Sequence, residues 1–146
     1  MQSSETYSIE SIYHQLIEAW NNRNAEEMSQ LFTEDGESIG FDGSQSLGQE
    51  EIYAHLNPIF ENHPTAPYIT KVKSVRFLGT DTALLRAIAG MMPHGQSELN
   101  PKVNTHHTLV LVKIAGHWRI QLFQNTPAQF HGRPELLEQM TEELKG

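Results

Sequence analysis

The sequence predicts an α+β fold, in which a curved antiparallel sheet wraps over helices laid down before it. Three observations carry this. Apolar residues recur at helical spacing through the first sixty positions. Four later segments, between Ile69 and Asn125, read as strands, two of them in clear period-two alternation. The last two of these segments are separated only by Ala115-Gly116, a hairpin signal. Strands joined by short turns pair antiparallel, and helices segregated from them pack against one face. A strongly bent sheet folded over helices leaves a concavity between the two layers.

The first helix is expected over about Ile9 to Asn22, where Ile9, Ile12, Tyr13, Leu16, Ile17 and Trp20 share a face. Ser8 is placed to cap it. Asn24 can cap a second helix, with Glu27 in the reach-back position of a capping box and Met28, Leu31 and Phe32 on its apolar side. Two Asp-Gly turns then bracket ESIGF, a short strand. A third helix is expected over about Gln49 to Phe60, with Pro58 kinking or shortening it. The strands follow as ITKVKSVRF, TALLRAIAG, HHTLVLVKI and HWRIQLFQN, with the polar loop MMPHGQSELNPKVN between the second and third. Pro134 starts a short closing helix over about 134–145.

At 146 residues the chain is expected to form one domain, 1–146, with its core over about 9–127. It has no cysteine, which excludes disulfides, thiolate catalysis and Cys-ligated zinc. A net charge of −8 argues against nucleic acid and anionic membranes as partners. The one basic cluster, Lys71, Lys73 and Arg76, reads as the solvent face of a strand. There is no apolar run of membrane-spanning length, and MQSSETYS lacks the basic and apolar regions of a secretion signal, so a cytoplasmic location is expected. The eight histidines are scattered without metal-binding spacing, and FDGSQSLG lacks the spacing of a dinucleotide fingerprint. No metal and no cofactor are expected.

The stretches AWNNRNAEEMSQLFTEDGE, FDGSQSLGQEEI, VRFLGTDTALLRAIAGM and TLVLVKIAGHWRIQLFQNT arrive in an order and spacing that resemble the nuclear transport factor 2-like superfamily. More narrowly they resemble its SnoaL-like branch, and within it a bacterial subgroup of small proteins often labelled oxidoreductases by similarity to antibiotic-biosynthesis proteins. The resemblance covers about Ile9 to Pro127. It implies a cone-shaped barrel with a pocket at its open end, and a homodimer paired through the outer face of the sheet. Relatives include ketosteroid isomerases, polyketide cyclases, dehydratases and binding or assembly domains, so fold alone does not assign function. Matched to ketosteroid isomerase, the first-helix tyrosine acid falls on Leu16 and the strand aspartate base on Gly40, while the second acid falls near His106 or His107. Two of the three positions are chemically inert here.

Candidate site residues follow from periodicity within that frame. Ser38, Gly40 and Asp42 share a strand face, so Asp42 is either a relocated base or simply the opener of its Asp-Gly turn. His106 and His107 point to opposite faces, so at most one enters the pocket, the other meeting solvent or a partner subunit. His107 shares its face with Leu109 and Leu111. Tyr13, Leu16 and Trp20 lie on one helical face, as pocket wall or plain core. Met91-Met92 opens the long loop, which is either a lid or an ordinary connection. The last strand ends on two carboxamides, Gln124 and Asn125, of which one should face inward; the carboxamides either orient a ligand or tie down a corner. The expected function is binding of a small, largely apolar organic molecule, with or without cofactor-independent acid/base chemistry. A non-catalytic binding protein and a dimeric assembly module are the alternatives.

Overall fold

The computed structural model describes residues 4–146. Met1, Gln2 and Ser3, part of the segment read as carrying no leader, lie outside the described residues. The elements run α1 (Ser4–Asn21), α2 (Ala25–Gln30), β1 (Phe32–Ile39), β2 (Gln45–Leu47), α3 (Gly48–Asn62), β3 (Tyr68–Phe77), β4 (Thr82–Met91), β5 (Thr105–Ile114), β6 (His117–Pro127) and α4 (Pro134–Lys145). A 3-10 turn, Pro101–Val103, interrupts the long loop. The six strands form one curved sheet in the order β2-β1-β6-β5-β4-β3, with β2 and β3 as its open edges. Among the described residues, no helix is long and apolar enough to cross a membrane.

The α+β architecture stands as expected, and the differences from the sequence reading are local. Ser8 does not cap α1, which runs through it; its hydroxyl donates to the Ser4 carbonyl at 3.0 Å. Asn24 does cap α2, accepting from the Glu27 N–H at 3.0 Å. The reach-back from Glu27 is replaced by an Asn24 N–H bond to the Ala19 carbonyl. Phe32, expected on α2, opens β1 instead. Pro58 is carried inside α3, which continues to Asn62. Arg23 donates to the Phe60 and His63 carbonyls, satisfying the end of that helix.

One strand pair departs from the antiparallel order. β1 runs parallel to β6, with Glu37, Ser38 and Ile39 opposite Leu122, Phe123 and Gln124. No turn joins these strands, so nothing local dictates their direction. The register shifts between Phe32 and Glu37. Gly36 sits in that irregularity, where a Cβ would lie 3.0 Å from the Ile120 carbonyl oxygen and 3.1 Å from Phe32 Cβ. β5 and β6 form the hairpin read from sequence, turning at Ala115 and Gly116, both with positive φ (52° and 81°).

The main core lies between α1, α3 and the concave face of the sheet. Its fully buried large members include Ile9, Tyr13, Leu16, Phe32, Ile52, Leu85, Leu109, Leu111 and Ile120. A second cluster lies on the convex face, where α4 packs Met140 and Leu144 with Ile88, Leu99 and Ala128. Gly90 permits this close seating, since a Cβ there would meet Leu144 Cδ1 and Asn104 Oδ1 at 3.0 Å. Lys71, Lys73 and Arg76 are exposed as expected, and both lysines pair with Glu143 of α4.

Candidate functional site

The cone opens at the ends of β1, β4 and β6 onto a pocket of about 310 Å³. Trp20 of α1, Met28 of α2, and Leu56 and Ile59 of α3 line its helical side. Tyr68, Met91, Phe123 and Asn125 line its sheet side. Ser38, Gly40, Phe41, Asp42, Ser44 and Ser46 come from β1, β2 and the turn between them, with His55 and Val103 completing the rim. The lining is mostly aromatic and aliphatic, with a few polar groups, which suits an organic ligand.

The AWN stretch at the end of α1 builds one wall. Trp20 Nε1 donates to the Ala66 carbonyl at 3.0 Å, and its ring lies 5.2 Å from Phe60 and 5.1 Å from Tyr68. Asn21 clamps the start of β3 through both of its amide ends. Its Oδ1 accepts from the Tyr68 N–H at 2.8 Å, and its Nδ2 donates to the Tyr68 carbonyl at 3.3 Å. Tyr68 is thereby held by its backbone while its side chain enters the cone.

Asn125 is the inward carboxamide. Its Nδ2 donates to Tyr68 Oη at 3.0 Å, and its Oδ1 accepts from the buried Thr105 hydroxyl. Gln124 is half-buried and is not part of the pocket wall. The reason is a bulge. β6 pairs Ile120 with Leu111 and Leu122 with Val110, so Gln121 is an extra residue. Trp118 and Ile120 face inward before it, and Phe123 and Asn125 after it.

His107 faces inward and is fully buried, with Nδ1 2.8 Å from Tyr13 Oη. The Tyr13 hydroxyl and Nδ1 share one hydrogen bond, whose donor is set by the imidazole tautomer, while the other ring nitrogen, Nε2, is buried as well. Among the described residues that buried Nε2 has no hydrogen-bond partner. The rings of Tyr68 and Phe123, each 5.0 Å away and edge-on, separate the imidazole from the pocket. Burial, reinforced by His106, pushes the His107 pKa down to about 3, and burial raises that of Tyr13. His106 lies on the convex face, half-buried, its ring 6.1 Å from Phe130.

Asp42 lies at the exposed rim. Its Oδ1 accepts from the Ser44 N–H at 2.9 Å, which with the Ser44 side chain holds the carboxyl below the usual range. It therefore does what the opener of an Asp-Gly turn does while also lining the pocket. At Gly40 a Cβ would meet nothing closer than Asp42 Oδ1 at 3.6 Å, so the space there is real. Tyr13 and Leu16 are fully buried core behind the wall, whereas Trp20 is wall. Met91 lines the pocket and Met92 packs on the second cluster. Sequence reasoning missed Tyr68, Phe123 and His55. The Asn21 clamp on Tyr68 joins residues 47 apart, and no periodicity signals it.

The SnoaL-like domain family matches residues 9–124. The chain belongs to that family. Among solved structures, this SnoaL-like chain is similar to a domain with a cystatin-like fold from Nostoc punctiforme PCC 73102. That match has a TM-score of 0.83 at 24% identity, covering 95% of this chain and 86% of that one. It is also similar to a ketosteroid isomerase-like protein from Erwinia carotovora atroseptica SCRI1043, with TM-score 0.70 and 18% identity over 88% of this chain and 99% of that one. An NTF-2 like protein from Shewanella oneidensis MR-1 matches with TM-score 0.67 and 19% identity, over 84% and 98%. At these identities the likeness is one of fold. Comparison with curated proteins found no match.

Proposed function

We propose that the cone pocket binds a small, largely apolar organic molecule. The observation that carries this is the cavity itself, about 310 Å³ and walled mainly by Trp20, Leu56, Ile59, Tyr68, Met91 and Phe123. A cone filled by side chains would favour an assembly role instead. Catalysis by proton transfer has less support. The His107 imidazole is held neutral behind two aromatic rings, and the Asp42 carboxylate is stabilised by Ser44 and open to water, so neither is tuned toward neutral pH. The binding reading is tested by a thermal-shift screen of polyketide-like and steroid-like compounds. We expect several to raise the melting temperature of the parent, and Gly40→Leu, which projects a side chain into the cavity, to abolish the gain. If no apolar compound shifts the parent, the assembly module becomes the better account.

The convex face supports a homodimer as part of this proposal. Leu84, Val110 and Leu122 are cross-strand neighbours on β4, β5 and β6 and form a half-buried apolar row. α4 packs on β4 and β3 and contributes its buried residues to the second cluster. Light scattering at micromolar concentration should give twice the monomer mass, and Val110→Lys should halve it. A parent that scatters as a monomer removes this part of the proposal.

A further inference from the structure

We propose that Tyr68 is the residue by which the pocket selects its ligand: its hydroxyl donates to an uncharged oxygen acceptor, such as a ring carbonyl, on an otherwise apolar molecule. This rests on the reading of the cone as a binding pocket. The polarity comes from a chain of three side chains. Thr105, fully buried, presents its hydroxyl to Asn125 Oδ1. That orients the amide, whose Nδ2 donates to Tyr68 Oη at 3.0 Å. Tyr68 Oη is therefore an acceptor toward Asn125, and its own proton is left to give. Among the described residues, this is the one side-chain hydrogen bond that Tyr68 makes.

Two further features suit a fixed donor. Tyr68 is 6% exposed and lines the pocket, Asn21 clamps its backbone through both amide ends, and Asn125 holds its hydroxyl. Burial pushes the Tyr68 pKa up to about 12, so the proton is retained throughout the neutral range. A buried hydroxyl whose proton still lacks an acceptor favours a ligand that supplies one over a ligand that does not. The polarity is also reversible in principle, and this makes it testable. Thr105 Oγ1 lies 2.8 Å from the Thr126 carbonyl oxygen. If its proton goes there and the Asn125 amide turns over, Tyr68 donates to Asn125 and shows the pocket only a lone pair. The pocket would then prefer ligands that donate.

Three bicyclic probes of similar shape separate these cases: 1-indanone, which only accepts; indole, whose N–H donates; and indane, which does neither. Dissociation constants are measured by NMR titration of the full chain. We expect 1-indanone to bind about tenfold more tightly than indane, and indole no better than indane. In Tyr68→Phe the ratio of 1-indanone to indane should fall to about one, with indane binding unchanged. The infrared carbonyl stretch of 1-indanone bound to the parent should lie at lower frequency than that of 1-indanone in a hydrocarbon solvent, a readout that stands even if the variant does not fold. Equal binding of 1-indanone and indane, preference for indole, or an unshifted carbonyl stretch overturns the role of Tyr68 and leaves the pocket reading intact. Failure of all three probes to bind overturns the pocket reading and this inference together.

Discussion

The two faces of the sheet treat neighbouring residues oppositely. On β5, His107 turns to the concave side, where it is fully buried and tied to Tyr13 at 2.8 Å. His106 turns to the convex side and rests half-exposed beside Phe130. On β6, Asn125 bonds Tyr68 and Thr105 within the cone, while the half-buried Gln124 lies outside it. The difference is one of solvent. A polar group on the concave face loses water and must find protein partners, so these side chains become linked and fixed. On the convex face His106 and Gln124 keep part of their surface in water, so these two side chains carry less structural weight. Rigid polar groups against an apolar void are what a ligand can be read by, which is why the candidate site lies on the concave face.

That contrast breaks most sharply at His107. His107→Ala removes a large buried ring and strands the Tyr13 hydroxyl, so a loss of about 3 kcal/mol is expected in urea denaturation. A loss below about 1 kcal/mol would mean that the concave network is not structural. Acid should act through the same residue. The folded imidazole titrates at about 3 against an ordinary value of 6.5. Between those values the unfolded chain binds a proton that the folded chain does not. Stability should therefore be intact above about pH 7 and fall by about 1.4 kcal/mol per unit from about pH 6 downward. Denaturant midpoints across that range should show the slope in the parent, and His107→Gln should remove this contribution.

The convex face should respond more weakly. Gly90→Ala puts a methyl against Leu144 and Asn104, and is expected to cost about 1 kcal/mol by loosening α4. The second cluster should register this in hydrogen exchange while the cone does not. His106→Ala should change stability by less than about 0.5 kcal/mol. If His106→Ala matched His107→Ala, the difference between the faces would be lost.

The sequence by itself determined what is local. Period and turn chemistry marked three helices, the Asn24 cap, the Ala115-Gly116 hairpin and the closing helix close to where they lie. The motif order marked the family, which matches residues 9–124. Alternation along β5 correctly put His107 with Leu109 and Leu111, because that strand carries its inward face unbroken through all three. The tertiary structure alone decided what depends on pairing between distant segments. β1 takes its direction and register from β6, more than 80 residues later, with no turn to announce either. The sequence left open which of Gln124 and Asn125 faces inward, and the β6 bulge decides it, so that Asn125 enters the cone. One extra residue changes every face beyond it, and a period-two pattern holds no record of where that residue falls. Tyr68 escaped notice for a related reason, since its backbone is held by Asn21 and its hydroxyl by Asn125, both remote in the chain.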